Sequence, residues 1–64
     1  MTYVTKTWDF HDALSKRFEN VVIDNVRHLT GNSSVVETNK GVFHCESFVD
    51  DSEIIFMKVT EFVE

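Results

Sequence analysis

Nine residues, Val21–Leu29 (VVIDNVRHL), constrain the fold more than any other stretch, because a helical pattern precedes them and strand-like segments follow. As a helix they would prolong the segment before them. Phe18, Val22, Val26 and Leu29 continue its apolar stripe, Arg27 and His28 would fill a last turn, and Gly31 would stand just past the end. As a strand they would open a series of β-segments running to the C-terminal part of the chain. Val21-Val22-Ile23 places three β-branched residues together, each losing side-chain freedom in a helix. Asp24-Asn25 then competes for the backbone's own hydrogen bonds. Intrinsic helix costs of roughly 0.3–0.7 kcal/mol per residue accumulate over such a stretch and favour the strand. Thr30–Ser34 (TGNSS) suits the hairpin loop that must follow.

The neighbouring segments are read from this choice. Thr2–Lys6 predicts a short strand at a sheet edge. Trp8–Glu19 predicts a helix, since Phe10, Ala13, Leu14 and Phe18 fall on one stripe. Thr7 or Asp9 can cap its start, Lys16 and Arg17 suit its end, and Asn20 is an acceptable left-handed terminator. Beyond the pivotal stretch, Ser34–Thr38 and Val42–Phe48 predict two strands joined by the turn Asn39-Lys40-Gly41. Phe43 and Cys45 share the core-facing side of the second strand, with His44 and Glu46 on the other. After the polar turn Val49–Ser52, Glu53–Val63 predicts the longest strand, with Ile55, Met57 and Val59 pointing one way and Ile54, Phe56 and Lys58 the other. A strand apolar on both faces is central in its sheet, or has one face covered by the helix and the other by a partner. The expected architecture is α+β: one N-terminal amphipathic helix packed on a small antiparallel meander of about three to five strands.

A chain of 64 residues is expected to form a single small domain, residues 1–64, with a marginal core that a partner subunit would support. One cysteine gives no internal disulfide and suits a reducing compartment. Eight aromatic residues, spread from Tyr3 to Phe62, supply the apolar area instead. No apolar run approaches the ~20 residues of a membrane span, so a soluble, cytoplasmic protein with no membrane partner is expected. The net charge of −5 lies wholly in residues 33–64, where seven acids face Lys40 and Lys58. Nucleic-acid binding needs a basic patch. Direct binding through Lys6, Lys16, Arg17 and Arg27 would require all four on one face, and is disfavoured.

No stretch carries a catalytic, cofactor or metal signature, so a non-enzyme with no cofactor is expected. His44 and Cys45 are adjacent, so on a strand they point to opposite faces and cannot share one ion. Cys45 paired with His11 or His28 would need a lowered thiol pKa and an oriented base. Asp50-Asp51-Ser52-Glu53 lacks the frame of a calcium loop, and two glycines, Gly31 and Gly41, make no phosphate loop. Two surface features remain. One is an acidic patch of Glu37, Glu46, Asp50, Asp51 and Glu53, weighed against ordinary solubilising charge. The other is aromatic excess: a small sheet with a short helix leaves Trp8, Phe48, Phe56 or Phe62 as anchors, unless aromatics simply build the core.

Short, acidic chains of this kind resemble the small accessory proteins of bacteriophages and mobile elements. No motif assigns the chain to a family; the acidic patch and the aromatics instead lead to the expectation of a non-enzymatic interaction protein that occludes a basic, nucleic-acid-binding surface of a host protein, with Glu37, Glu46, Asp50, Asp51, Glu53, Trp8 and Phe48 binding the partner. The alternative is a homo-oligomer, a homodimer in its simplest form, holding a small molecule or nucleotide between subunits.

Overall fold

A computed structural model describes residues 1–62 and shows a five-stranded antiparallel sheet with one short helix. The elements run β1 (Thr2–Thr5), α1 (Phe10–Ser15), β2 (Ile23–His28), β3 (Ser33–Thr38), β4 (Gly41–Val49) and β5 (Ile55–Glu61). Their order in the sheet is β1-β5-β4-β3-β2. Strands β2 to β5 form a meander, and β1 adds to the free side of β5 with Tyr3 opposite Val59 and Thr5 opposite Met57. The connection from β1 through α1 to β2 therefore passes from one edge of the sheet to the other, and α1 covers one face on the way.

Val21–Leu29 is resolved in favour of the strand, over Ile23–His28. Val21 turns into the core and the Val22 N–H donates to Asn39 Oδ1 at 2.8 Å, so the chain is already pinned where β2 begins. A bulge falls between Ile23 and Asn25, leaving Asp24 without a register partner on β3. Bulges bend an edge strand away from edge-to-edge pairing with another chain. The expected edge position of β1 and the interior position of β5 both hold. The predicted end of the last strand at Val63 lies outside the described residues.

The helix is shorter than its pattern predicts. Trp8–Glu19 gives way to six helical residues, Phe10–Ser15, and the fold is dominated by its sheet. Asp9 caps the start, its side chain accepting from the His11 N–H, so Trp8 stays outside in the loop. At the other end the Arg17 and Phe18 N–H groups both donate to the Leu14 carbonyl, at 3.1 and 2.9 Å. Two donors converging on one acceptor close the turn instead of propagating it. Asn20 then adopts φ 55, the left-handed conformation that asparagine tolerates. Tertiary packing imposes this stop: Phe18 must lie against Phe43, with ring centroids 5.2 Å apart, and Val21 must bury. The apolar stripe still faces the sheet, with Ala13 and Leu14 fully buried and Phe10 and Phe18 packed against the core.

The core lies between α1 and one face of the sheet: Ala13, Leu14, Val21, Val36, Phe43, Cys45, Met57 and Val59. Each large apolar side chain there contributes ~1.5–3 kcal/mol relative to exposure. The Tyr3 hydroxyl donates to the Ala13 carbonyl at 2.9 Å and ties β1 to the helix. Ile55 shares the face of Met57 and Val59, as its alternation predicts, but is exposed at its end of the strand.

Candidate functional site

The register of the strands creates the most exposed region. β3 begins where Ser33 pairs with Glu46, and β1 ends where Thr5 pairs with Met57. Beyond those points β4 and β5 continue as a two-stranded ribbon that carries the pairs Phe48–Phe56 and Val49–Ile55. Alternation sets the first pair on the face away from α1 and the second on the helix side. The Phe48 and Phe56 rings stack at 5.7 Å with 19° between their planes, and Phe48 is still 40% exposed. Val49 is 60% exposed and Ile55 is exposed beside it. The chain leaves β1 at this same end, through the loop that carries Trp8, which is 77% exposed.

The turn closing the ribbon is built by Asp50. Its Oδ1 accepts the Ser52 and Ile54 N–H groups at 2.9 Å each, and its backbone exchanges bonds with Glu53 and Ile54. Local carboxylate–backbone bonds of this sort substitute for ladder bonds in a turn. Glu53 sits at φ 61, where a non-glycine residue is uncommon. Asp50 is thus committed to shaping the turn, while Asp51 and Glu53 are exposed.

The other two acids of the expected patch lie elsewhere. Glu46 is on the outer face of β4, between Ser33 on one side and Lys58 on the other. Glu37 is on the outer face of β3, opposite Val42, where its Oε2 accepts from Asn25 Nδ2 at 2.8 Å. Val42 and Asp50 are eight residues apart along β4, roughly 26 Å at strand rise. The structure therefore brings Asp50, Asp51, Glu53 and Phe48 together, with Trp8 at the same end, sets Glu46 partway down the face and puts Glu37 at the far end. The cations are divided too. Lys16 Nζ lies 3.5 Å from the Lys6 carbonyl and Arg17 stacks over Tyr3 at 5.8 Å, both beside β1, whereas Arg27 is on β2 at the opposite edge.

The nucleophilic and metal-ligating types are dispersed. Cys45 is fully buried under the helix, and that burial pushes its thiol up from 9.0 to about 11, away from thiolate chemistry. His44 Nε2 meets Ser33 Oγ at 2.6 Å and His28 Nδ1 meets Ser34 Oγ at 2.9 Å, on opposite faces of β3. His11 is exposed on α1, 3.5 Å from Ser15 Oγ. Among the described residues there is no group of three or more His, Cys, Asp or Glu set to hold one ion, and no enclosed cavity.

Sequence reasoning missed Val4, Val49 and Ile55 as exposed apolar positions. Only for Ile55 was there a signal, the apolar character of Glu53–Val63 on both faces. No family model matches the chain, and no curated protein or solved structure is significantly similar to it, so the geometry alone carries the functional reading.

Proposed function

We propose that the chain is a non-enzymatic protein–protein interaction module, an inhibitor of the kind bacteriophages and mobile elements carry, which occludes a basic, nucleic-acid-binding surface of a host protein. One observation carries the reading: exposed apolar side chains, Trp8, Val49 and Ile55, share one end of the molecule with the exposed carboxylates of Asp51 and Glu53. Acidic groups on a protruding turn steer a basic surface into contact and raise association rates by ~10–10³-fold at low salt. Aromatic and aliphatic side chains beside them then exclude water and hold the complex, a buried tryptophan being worth ~2 kcal/mol or more as an anchor. Inhibition follows from steric occlusion, with Phe48 at the margin of the contact, while Glu46 and Glu37 lie outside it on an outer face where Lys58 and Arg27 balance their charge.

The test is capture from host lysate on the immobilised chain at low and high salt, followed by nucleic-acid binding assays on whatever protein is retained. The expected result is a salt-labile capture that Trp8→Ala and the double change Asp51→Lys, Glu53→Lys each abolish. The captured protein should lose its DNA or RNA affinity when the chain is added. Empty resin at low salt, or a capture indifferent both to salt and to these substitutions, would sink the reading.

A further inference from the structure

The face of the sheet that α1 leaves uncovered is built as a set of complementary pairs. Along β4 and β5 the outward residues stand in rows: Val42 beside Phe62, His44 opposite Thr60, Glu46 opposite Lys58, and Phe48 opposite Phe56. Three rows join unlike groups, aliphatic with aromatic, imidazole with hydroxyl and carboxylate with ammonium, and the fourth stacks ring on ring. A two-fold axis parallel to the strands and passing between β4 and β5 exchanges the members of every row. A second copy placed by that axis sets its Lys58 on Glu46, its Phe56 on Phe48 and its Phe62 on Val42. Glu46 and Lys58 are register partners, yet the ion pairs among the described residues are Met1–Glu61 and Lys16–Asp12, so this pair is not closed within the chain.

From this self-complementarity we infer that the outer face is the interface of a homodimer, formed by two sheets packed face to face. Charge decides between a second copy and a basic partner. The strand residues that alternate onto this face carry Glu37 and Glu46 against Arg27 and Lys58, which is neutral, while the chain as a whole carries −5. An acidic molecule can approach another copy of itself only where its own charge is balanced, whereas a basic partner is drawn to the acidic turn. Size permits it: the two longer dimensions of the molecule, 34 and 24 Å, cap a flat face at about 800 Å², and specific interfaces take ~600–1,000 Å² from each partner. Val4, Phe48 and Phe62 on or beside this face are exposed in the single chain and gain cover from the second sheet. Because the axis runs along the strands, both acidic turns emerge at the same end of the dimer. The dimer therefore presents two copies of the partner-binding end side by side, although its existence does not depend on that partner.

The experiment is sedimentation equilibrium of the full chain, from low micromolar to hundreds of micromolar, on the unaltered sequence and on charge reversals. A dimer is expected. Glu46→Lys and Lys58→Glu should each weaken it by about tenfold or more, and an equal mixture of the two variants should restore association. In the mixed dimer each altered charge again meets its opposite, which no effect within one chain can reproduce. Phe48→Lys should weaken the dimer with an unchanged circular dichroism spectrum. A chain that stays monomeric throughout overturns the inference, and so does a dimer indifferent to all three changes or a mixture that stays apart. A monomeric chain whose lysate capture is lost on Phe48→Lys would give the face to a different protein instead. None of the sedimentation results involves the host partner, so the two readings fail separately.

Discussion

The two hairpins that share β4 are closed in opposite ways. At the β3–β4 end, Asn39 reaches outside its own turn: its N–H donates to the Val22 carbonyl at 3.1 Å, its Oδ1 accepts from the Val22 N–H, and its Nδ2 donates to the Asn20 carbonyl at 3.1 Å. Thr38 and Lys40 add bonds within the turn, and Gly41 takes φ +127, a conformation that favours glycine. Phe43, two residues on, is buried under Phe18. At the β4–β5 end, Asp50 bonds only to its own turn, and the aromatic pair next to it remains partly in water. One hairpin is fastened to the rest of the molecule and the other is self-contained and projects. Stability and recognition are thus separated along a single strand.

Truncating the phenylalanines of the two hairpins should expose that division most sharply. Phe43→Ala removes a ring at the centre of the core, and a loss of ~3–5 kcal/mol is expected, enough to unfold a domain of this size in a thermal or urea melt. Phe48→Ala, by the same measurement at a concentration that keeps the chain monomeric, should cost under ~1 kcal/mol, because its ring is 40% exposed in the single chain. Equal losses at the two positions would remove the contrast.

Raising pH attacks the fastened region through Cys45. Its folded thiol keeps its proton to about pH 11, while an ordinary thiol releases it from 9.0 upward. The contribution of the protonated thiol is complete below pH 9 and falls as pH rises through that window, the loss amounting to ~2 kcal/mol by the upper end. Burial also raises the Tyr3 hydroxyl above 10.0, which acts in the same direction. Denaturant midpoints between pH 8 and 11 should decline accordingly, and a Cys45→Ser chain, whose hydroxyl does not titrate, should decline less.

Smaller effects should follow at the turns themselves. Asn39→Ala leaves the Val22 N–H and the Asn20 carbonyl without their side-chain partners, and a loss of about 1–2 kcal/mol is expected in the same melts. Glu53→Gly should run the other way, gaining about 0.5–1 kcal/mol, because glycine occupies the left-handed conformation without the steric cost that a side chain carries. A destabilised Glu53→Gly chain would mean that the side chain contributes more to its turn than its backbone costs.

What the sequence discloses depends on how local the cause is. Val21-Val22-Ile23 declares a strand because β-branching acts within the residue, and the Asn39-Lys40-Gly41 turn declares itself through its glycine. The length of α1 was not legible, since it is ended by Phe18 packing on Phe43, a residue far away in sequence, and by the Leu14 carbonyl taking two donors. The exposure of Val49 and Ile55 was hidden for a similar reason. It follows from where β3 and β1 stop alongside β4 and β5, which the residues of the ribbon do not encode. The acidic residues were identifiable one by one, but the roughly 26 Å between Glu37 and the turn appears only once the register is known.

The placement of β1 has a consequence for how the chain is made. Its register partner for Thr2 is Thr60, so during synthesis β1 has no neighbour until β5 has followed it. Pairing across so long a separation slows folding, because the intervening chain must be ordered first. Until then Tyr3 has neither Val59 beside it nor a settled helix to receive its hydroxyl. The meander β2–β5 can assemble by successive short hairpins, each local, and the docking of β1 completes the sheet afterwards. A nascent chain cut short before β5 would keep two hairpins and lose the edge that seals the core.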